Sequence, residues 1–332
     1  MLSHNPAAIA IALAFAFNVV AGFSDGGNLL AAATASRIIP PRTAFVVISL
    51  GALAGPLIVG TAVAATIGRG VVDYQIVGAL PLCGGIAGAL SAVLLAYAIR
   101  FPTSGSVALM GATVGSLLAL HELNAIRWQV VEKVAISLFG SIVVGFAAGA
   151  LVYAVLLALL RGVDYRTGMR VMRLQYASVT LQAFGYGAND AEKMMGLMVA
   201  ATMVGKPTAH FGVPLWIVVV AVTAFALGMA IGGVRIARTI GGRLFRIRPL
   251  HALAFQIASA GTVLTAAALG GPLSSTETTA SAILGVGTVA NPRALRWQVA
   301  REMILAWLLT LPVGMACGWT ATLIFKITHL VS

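Results

Sequence analysis

The chain has 332 residues, of which 60% are hydrophobic and 9% are charged, and its formal net charge is +12. Soluble domains carry about 25% charged residues, so this composition excludes a soluble enzyme, a disordered chain and a disulfide scaffold. The apolar runs are continuous, which favours membrane helices over barrel strands, in which apolar and polar residues alternate. The basic residues cluster in short connections between these runs, a pattern typical of membrane topology rather than of nucleic-acid binding.

Ten apolar segments follow one another along the chain, and together they predict an all-α polytopic membrane protein. Two of them are short for a hydrocarbon core that takes roughly 20 residues to cross. These two, 104–121 and 274–290, either cross the membrane or form one arm of a re-entrant hairpin. The ten segments are 5–36, 43–67, 75–99, 104–121, 129–160, 173–205, 213–234, 250–269, 274–290 and 297–325.

Lysine and arginine are distributed unevenly between the two sides that this segmentation defines. Fourteen of the 21 fall in four connections on one side and five on the other. Positively charged loops stay in the cytoplasm, so we expect those four connections to be cytoplasmic and both termini to lie outside. The fourteen are Arg37, Arg42, Arg161, Arg166, Arg170, Arg173, Arg235, Arg238, Arg243, Arg246, Arg248, Arg293, Arg296 and Arg301.

Three short motifs of the first half recur in the same order in the second half. Each half holds an odd number of crossings, so the second half must enter the membrane inverted. We expect residues 1–160 to form the first repeat, 161–176 an arginine-rich cytoplasmic connection, and 177–332 the second repeat. Inverted repeats with matching polar segments are typical of secondary transporters. The matching motifs are 22–25 with 187–190, 102–106 with 272–276, and 127–130 with 296–299.

Few carboxylates stand within the apolar segments. Asp25, Asp190 and Glu192 lie in unbroken membrane-depth sequence, and Glu277 lies at the start of a short segment. Ionised groups at that depth are costly, so they usually line a cavity or pathway. These residues are therefore candidates for a transport site.

Segments 5–36 and 173–205 are too long for one untilted span, and each has glycines and a carboxylate near its middle. We expect each to be a broken helix, interrupted at Gly22–Asn28 or at Gly185–Asp190, with a polar residue capping the second half-helix. Hydroxyls should cap the short segments in the same way. The candidate caps are Ser24 or Asp25, Asn189 or Asp190, Ser104 or Ser106, and Ser274 to Thr276.

Four half-helix N-termini would then meet near the midplane of the bilayer, where their free N–H groups and positive dipoles suit an anion. Lys193 supplies a full positive charge one turn from Asp190. Phosphate can donate an O–H to Asp25 or Asp190, whereas sulfate has no proton to donate. The same carboxylates can bind a coupling cation or carry a coupling proton.

The run 185–196, G-Y-G-A-N-D-A-E-K-M-M-G, resembles the second-half signature of the inorganic phosphate transporter (PiT) family. Residues 272–287 are similar to the hairpin motif of that family, residues 296–312 also fit, and 22–28 and 102–111 match more loosely. The resemblance implies secondary transport of phosphate coupled to protons or sodium. It also implies an inverted-repeat fold and a homodimer.

By position, the resemblance assigns anion- and cation-binding roles to polar residues of both repeats. Five positions depart from the family pattern: Ser24 replaces Asn or His, Gly27 replaces Ala, and Val107, Tyr186 and Glu277 stand where the family usually carries His. Ser24 and Glu277 are therefore candidates for coupling or selectivity. With Lys193 added for its charge, the candidate substrate- and ion-binding residues are Asp25, Asn28, Ser104, Ser106, Asn189, Asp190, Lys193, Ser274, Ser275 and Thr276.

The leading hypothesis is a phosphate symporter in a bacterial inner membrane, with phosphate, H⁺ or Na⁺ and the lipid bilayer as partners. It needs no organic cofactor, resident metal or nucleic acid. A permease for sulfate or another oxyanion is the alternative within transport. Outside this class, a membrane enzyme with Asp25 and Asp190 as an acid pair lacks a nucleophile–base set, and a passive channel does not need broken-helix repeats.

Overall fold

The computed structural model describes residues 5–99, 101, 103–206, 210–233 and 247–331. Each of the ten apolar segments corresponds to one helix or to consecutive helices. The helices are α1 (Pro6–Ala21), α2 (Gly27–Thr34), α3 (Pro41–Val59), α4 (Ala62–Ala65), α5 (Tyr74–Val77), α6 (Ala79–Ala98), α7 (Gly105–Ala119), α8 (Trp128–Leu159), α9 (Tyr165–Met172), α10 (Gln175–Tyr186), α11 (Glu192–Met203), α12 (Leu215–Gly228), α13 (Pro249–Ala268), α14 (Ser275–Ala290) and α15 (Trp297–Thr328).

Within those ranges, seven helices are long and apolar enough to cross a membrane. Ile136, Val143 and Leu151 of α8 are 65%, 70% and 65% exposed, as expected for a helix that faces lipid. The chain is therefore an integral membrane protein. Pro102 and four arginines of the third predicted cytoplasmic connection lie outside the described residues; these arginines are Arg235, Arg238, Arg243 and Arg246.

The predicted second segment, 43–67, is divided in two. Helix α3 ends at Val59 because Gly60 takes φ 98°, a left-handed conformation that favours glycine. The chain then resumes in α4 and in a π-helical turn, Thr66–Gly70. The segment therefore provides one spanning helix followed by a short helical excursion.

The two predicted interruptions fall at the expected places, but the backbone does not break there. Gly22–Gly26 and Gly187–Ala191 are π-helical turns, and their flanking residues keep right-handed helical angles. Helix α1 thus continues into α2, and α10 into α11. The expectation that Ser24 or Asp25, and Asn189 or Asp190, cap a second half-helix is wrong, because a π turn inserts a residue without exposing a helix end.

The inverted repeat is visible in the helix packing. Long helix α15 packs against α7 of the first repeat, and α8 packs against α14 of the second. At the first contact a Cβ on Gly318 would collide with the carbonyl oxygen of Ala112, and at the second a Cβ on Gly149 would collide with that of Ala282. Small residues permit such close approach between membrane helices. Since both pairs match under the repeat offset, the two halves share one packing scheme.

The two hairpins, α6–α7 and α13–α14, meet at their tips. The Ser104 hydroxyl donates a hydrogen bond of 3.0 Å to the Ser274 hydroxyl. In an inverted repeat, equivalent points at the membrane surfaces lie on opposite sides, so equivalent residues that touch lie near mid-depth. Helices α7 and α14 have 15 and 16 residues, and at about 1.5 Å per residue they are short for a full crossing. The two short segments are therefore arms of re-entrant hairpins.

Candidate substrate and ion site

The hairpin tips set two helix N-termini against each other. Ser104 caps α7 by accepting a hydrogen bond from the Val107 amide at 3.4 Å, and Ser274 caps α14 by accepting one from the Glu277 amide at 3.3 Å. The predicted capping by these two serines is therefore confirmed. The first amides of a helix have no partner within the helix, so the tips present N–H groups and positive dipole ends.

The first π turn brings a carboxylate to the tip of the second hairpin. Asp25 is 8% exposed, and its Oδ1 accepts a hydrogen bond of 2.7 Å from the Thr276 hydroxyl. Asn28 lies one turn further along the helix, and its Oδ1 is buried and accepts no hydrogen bond from the described residues. The Ser24 hydroxyl points back to the Ala21 carbonyl oxygen at 3.2 Å. The first repeat thus places carboxylate, amide and hydroxyl groups around Asp25.

The second π turn carries a buried ion pair. The Lys193 ammonium donates to Asp190 Oδ1 at 2.7 Å, to the Ser106 hydroxyl at 2.6 Å and to the Leu273 carbonyl oxygen at 2.6 Å. The Asn189 side chain accepts a longer hydrogen bond, 3.4 Å, from the Leu273 amide. These contacts tie α11 to the tips of both hairpins.

Other predicted residues are buried beside these contacts with polar atoms left unpaired among the described residues. Both carboxyl oxygens of Glu277, which is fully buried, accept no hydrogen bond, and the Ser275 hydroxyl has no partner. Asp190 Oδ2 and Asn189 Nδ2 are also unpaired. Buried polar atoms are normally hydrogen-bonded, so this concentration of unpaired atoms marks a place suited to a polar ligand.

A polar face of α10 leads to this place, and of its residues sequence reasoning had singled out Tyr186 alone. Ser178 donates to Gln256 at 2.8 Å, Gln182 donates to Ser259 at 2.7 Å, and Tyr186 shares a hydrogen bond of 3.1 Å with Thr279. The sequence signal was the spacing of the polar residues in α10, which places them on one helix face. These residues are Gln175, Ser178, Gln182 and Tyr186.

Two cavities lie near the site. A cavity of about 20 Å³, lined by Ser106, Lys193 and Tyr74 among apolar residues, has room for about one water molecule. Tyr74 also borders an open pocket of about 400 Å³ lined by Arg69 and Arg127. Tyr74 therefore lies between a basic pocket and the hairpin tips.

Two inverted repeats with re-entrant hairpins that meet at a buried polar cluster define a membrane transport protein. The chain belongs to the Phosphate transporter family, whose model matches residues 21–318. The predicted family resemblance and fold class are confirmed, and the chain is not an enzyme.

Similar proteins extend over almost the whole chain. A Mycobacterium tuberculosis protein named "Probable low-affinity inorganic phosphate transporter" is 34% identical over 327 residues, covering 97% of this chain and 78% of that protein. A Bacillus subtilis protein of the same name is 28% identical over 317 residues, covering 94% and 95%. A solved structure, that of a protein named "The sodium-dependent phosphate transporter", superposes with a TM-score of 0.85, covering 97% of this chain and 99% of that one. At 18% sequence identity, this last likeness shows the fold alone.

Proposed function

We propose that this protein is a symporter that carries inorganic phosphate across a bacterial inner membrane together with a cation. The Asp25–Thr276 contact is the observation that supports this proposal best. It places a carboxylate directly beside the N-terminus of α14, where helix dipoles favour an anion. A site that combines a carboxylate with a positive helix dipole suits an anion that carries protons or arrives with a cation.

We propose Na⁺ as that cation and a proton as the alternative. Asp25, Asn28 and Thr276 offer carboxylate, amide and hydroxyl oxygens, which are the ligands that hard cations prefer. The solved protein with the same fold is named for its dependence on sodium, which also supports this choice. The pathway needs no organic cofactor or resident metal in this scheme.

The proposal includes an orientation and an assembly. The arginine-rich connections face the cytoplasm and both termini lie outside, on the basis of the charge asymmetry. A homodimer is proposed from the family resemblance. Chemical cross-linking in native membranes tests the dimer independently of transport.

Sulfate is the alternative substrate. It would face Asp25 and Asp190 without a proton to donate, and like charges in a desolvated site cost several kcal/mol. Phosphate should therefore be preferred.

The test is uptake of labelled phosphate and sulfate into proteoliposomes in which the Na⁺ and pH gradients are varied separately. We expect phosphate accumulation driven by an inward Na⁺ gradient. Accumulation driven only by a pH gradient would identify a proton as the coupling ion, and preferential uptake of sulfate would refute phosphate as the substrate.

A further inference from the structure

The two repeats place different side chains at one equivalent position beside the carboxylates. The offset of the glycine–carboxylate motif pairs Asp25 with Asp190 and Asn28 with Lys193. The offset of the hairpin motif pairs Thr276 with Ser106. The Asp25–Thr276 contact of the first repeat therefore corresponds to the Asp190–Lys193–Ser106 group of the second.

In the second repeat, the position between carboxylate and hydroxyl is filled by an ammonium group. Lys193 is 4% exposed, and its Nζ lies 2.6–2.7 Å from three oxygens: a carboxylate, a hydroxyl and a backbone carbonyl. An ammonium has three N–H donors, so all three are used and none remains for an oxyanion. A carboxylate, a hydroxyl and a backbone carbonyl are also the kind of oxygen ligands that hard cations prefer.

In the first repeat, the equivalent position carries no charge of its own. Asn28 provides an amide oxygen that is buried and accepts no hydrogen bond from the described residues. Asp25 precedes it by three residues, about one helical turn, and accepts its hydrogen bond directly from the Thr276 hydroxyl. Both repeats thus bring a carboxylate and a hairpin hydroxyl together beside one further polar side chain, but only the second repeat supplies a cation from the chain.

We propose that the Lys193 ammonium permanently occupies, in the second repeat, the position at which the first repeat binds an exchangeable coupling cation. The inference rests on the proposed cation-coupled transport and assigns Lys193 a role other than contact with phosphate. Two equivalent repeats would offer two exchangeable cation sites. Because Lys193 fills the one in the second repeat, a single exchangeable site remains. The remaining site consists of Asp25, Asn28 and Thr276.

The experiment measures Na⁺ binding directly. The full chain is purified in detergent without phosphate, and its melting temperature is followed as NaCl replaces N-methylglucamine chloride at constant ionic strength. Lys193→Asn should melt below the wild type without Na⁺, because Asp190 loses its partner. Its total Na⁺-dependent rise in melting temperature should be about twice that of the wild type, since two equivalent sites each stabilise the folded state.

The reciprocal variant fills the other site. Asn28→Lys places a second ammonium beside Asp25 and should lose the Na⁺ stabilisation of the wild type. Lys326→Asn removes an exposed charge at the end of α15 and should respond as the wild type does. If Lys193→Asn cannot be purified in folded form, Asn28→Lys decides alone.

The proposal is overturned by a wild type that Na⁺ does not stabilise, by a Lys193→Asn response equal to that of the wild type, or by an unchanged response of Asn28→Lys. Since this assay contains no phosphate and no gradient, its failure leaves the uptake test of phosphate transport intact. Failure of phosphate uptake likewise leaves the cation measurement interpretable.

Discussion

Asp190→Asn should destabilise the protein far more than the equivalent change in the other repeat. The substitution removes the negative charge beside a buried ammonium, whose remaining acceptors, the Ser106 hydroxyl, the Leu273 carbonyl and the new amide oxygen, are all neutral. Removing one partner of a buried ion pair costs about 3–5 kcal/mol. At about 2–4 °C per kcal/mol in larger domains, the melting temperature should fall by roughly 10 °C.

Two carboxylate variants separate this effect from a general loss of charge. In Asp25→Asn the new amide oxygen still accepts from Thr276 and no cation is left unpaired, so the cost should be about 1 kcal/mol. Asp73→Asn breaks the pair with Arg127, in which the arginine side chain is 52% exposed and the aspartate side chain is 26% exposed. Exposed pairs contribute about 0–1 kcal/mol, so this control should melt almost as the wild type does.

The assay is thermal unfolding of the purified proteins in detergent, without Na⁺ and phosphate. The double variant Asp190→Asn/Lys193→Met removes the ammonium together with its partner, and it should recover much of the stability lost in Asp190→Asn. Equal melting temperatures for Asp190→Asn and Asp25→Asn would refute the argument. So would a double variant that is no more stable than Asp190→Asn.

The remaining predictions concern affinity, selectivity, packing and topology. Thr276→Val removes the hydroxyl that bonds Asp25 at the proposed cation site. A lost charge-assisted hydrogen bond of about 1.5–3 kcal/mol should raise the Na⁺ concentration needed for half-maximal phosphate uptake by one to two decades; an unchanged value would refute the assignment. Arsenate, which carries protons as phosphate does, should inhibit phosphate uptake strongly, whereas a large excess of sulfate should not; equal inhibition would refute the reading of substrate protons. Gly318→Leu should destabilise the α15–α7 contact by about 1–3 kcal/mol, whereas Gly140→Leu, with open space around it, should not, as thermal unfolding would show. A cysteine at Arg166 should react only with reagents added from the cytoplasmic side, and labelling from outside would refute the proposed orientation.

The sequence was sufficient to predict features that local chemistry decides. Apolar segment length located the helices, since a backbone in lipid must satisfy its own hydrogen bonds. Ser104 and Ser274 were predictable as caps because a hydroxyl after a proline and before an apolar run suits a helix N-terminus. Their meeting was not predictable from either motif alone, because it depends on how the two repeats pack.

The form of the two central turns could not be read from the sequence. Glycine next to a carboxylate is compatible with a broken helix and with a π turn. Both turns lie in close contact with another helix: a Cβ on Gly22 would collide with the carbonyl oxygen of Phe225, and one on Gly187 with that of Ala52. A neighbouring helix therefore lies against each turn at backbone distance. This contact is made across more than a hundred residues of sequence, so no local pattern reports it.

Repeat matching also locates only those polar residues that both halves share. Under the offset of 165, Gln182 and Tyr186 of the polar face of α10 correspond to Phe17 and Ala21 in α1, which are apolar and buried. Equivalent backbone positions thus make hydrogen bonds to neighbouring helices in the second repeat and apolar contacts in the first. Lys193 and Asn28 differ in the same way, as an ammonium and an amide. Symmetry of the backbone explains why the site lies between the hairpin tips, whereas its chemistry depends on the positions at which the two repeats have diverged.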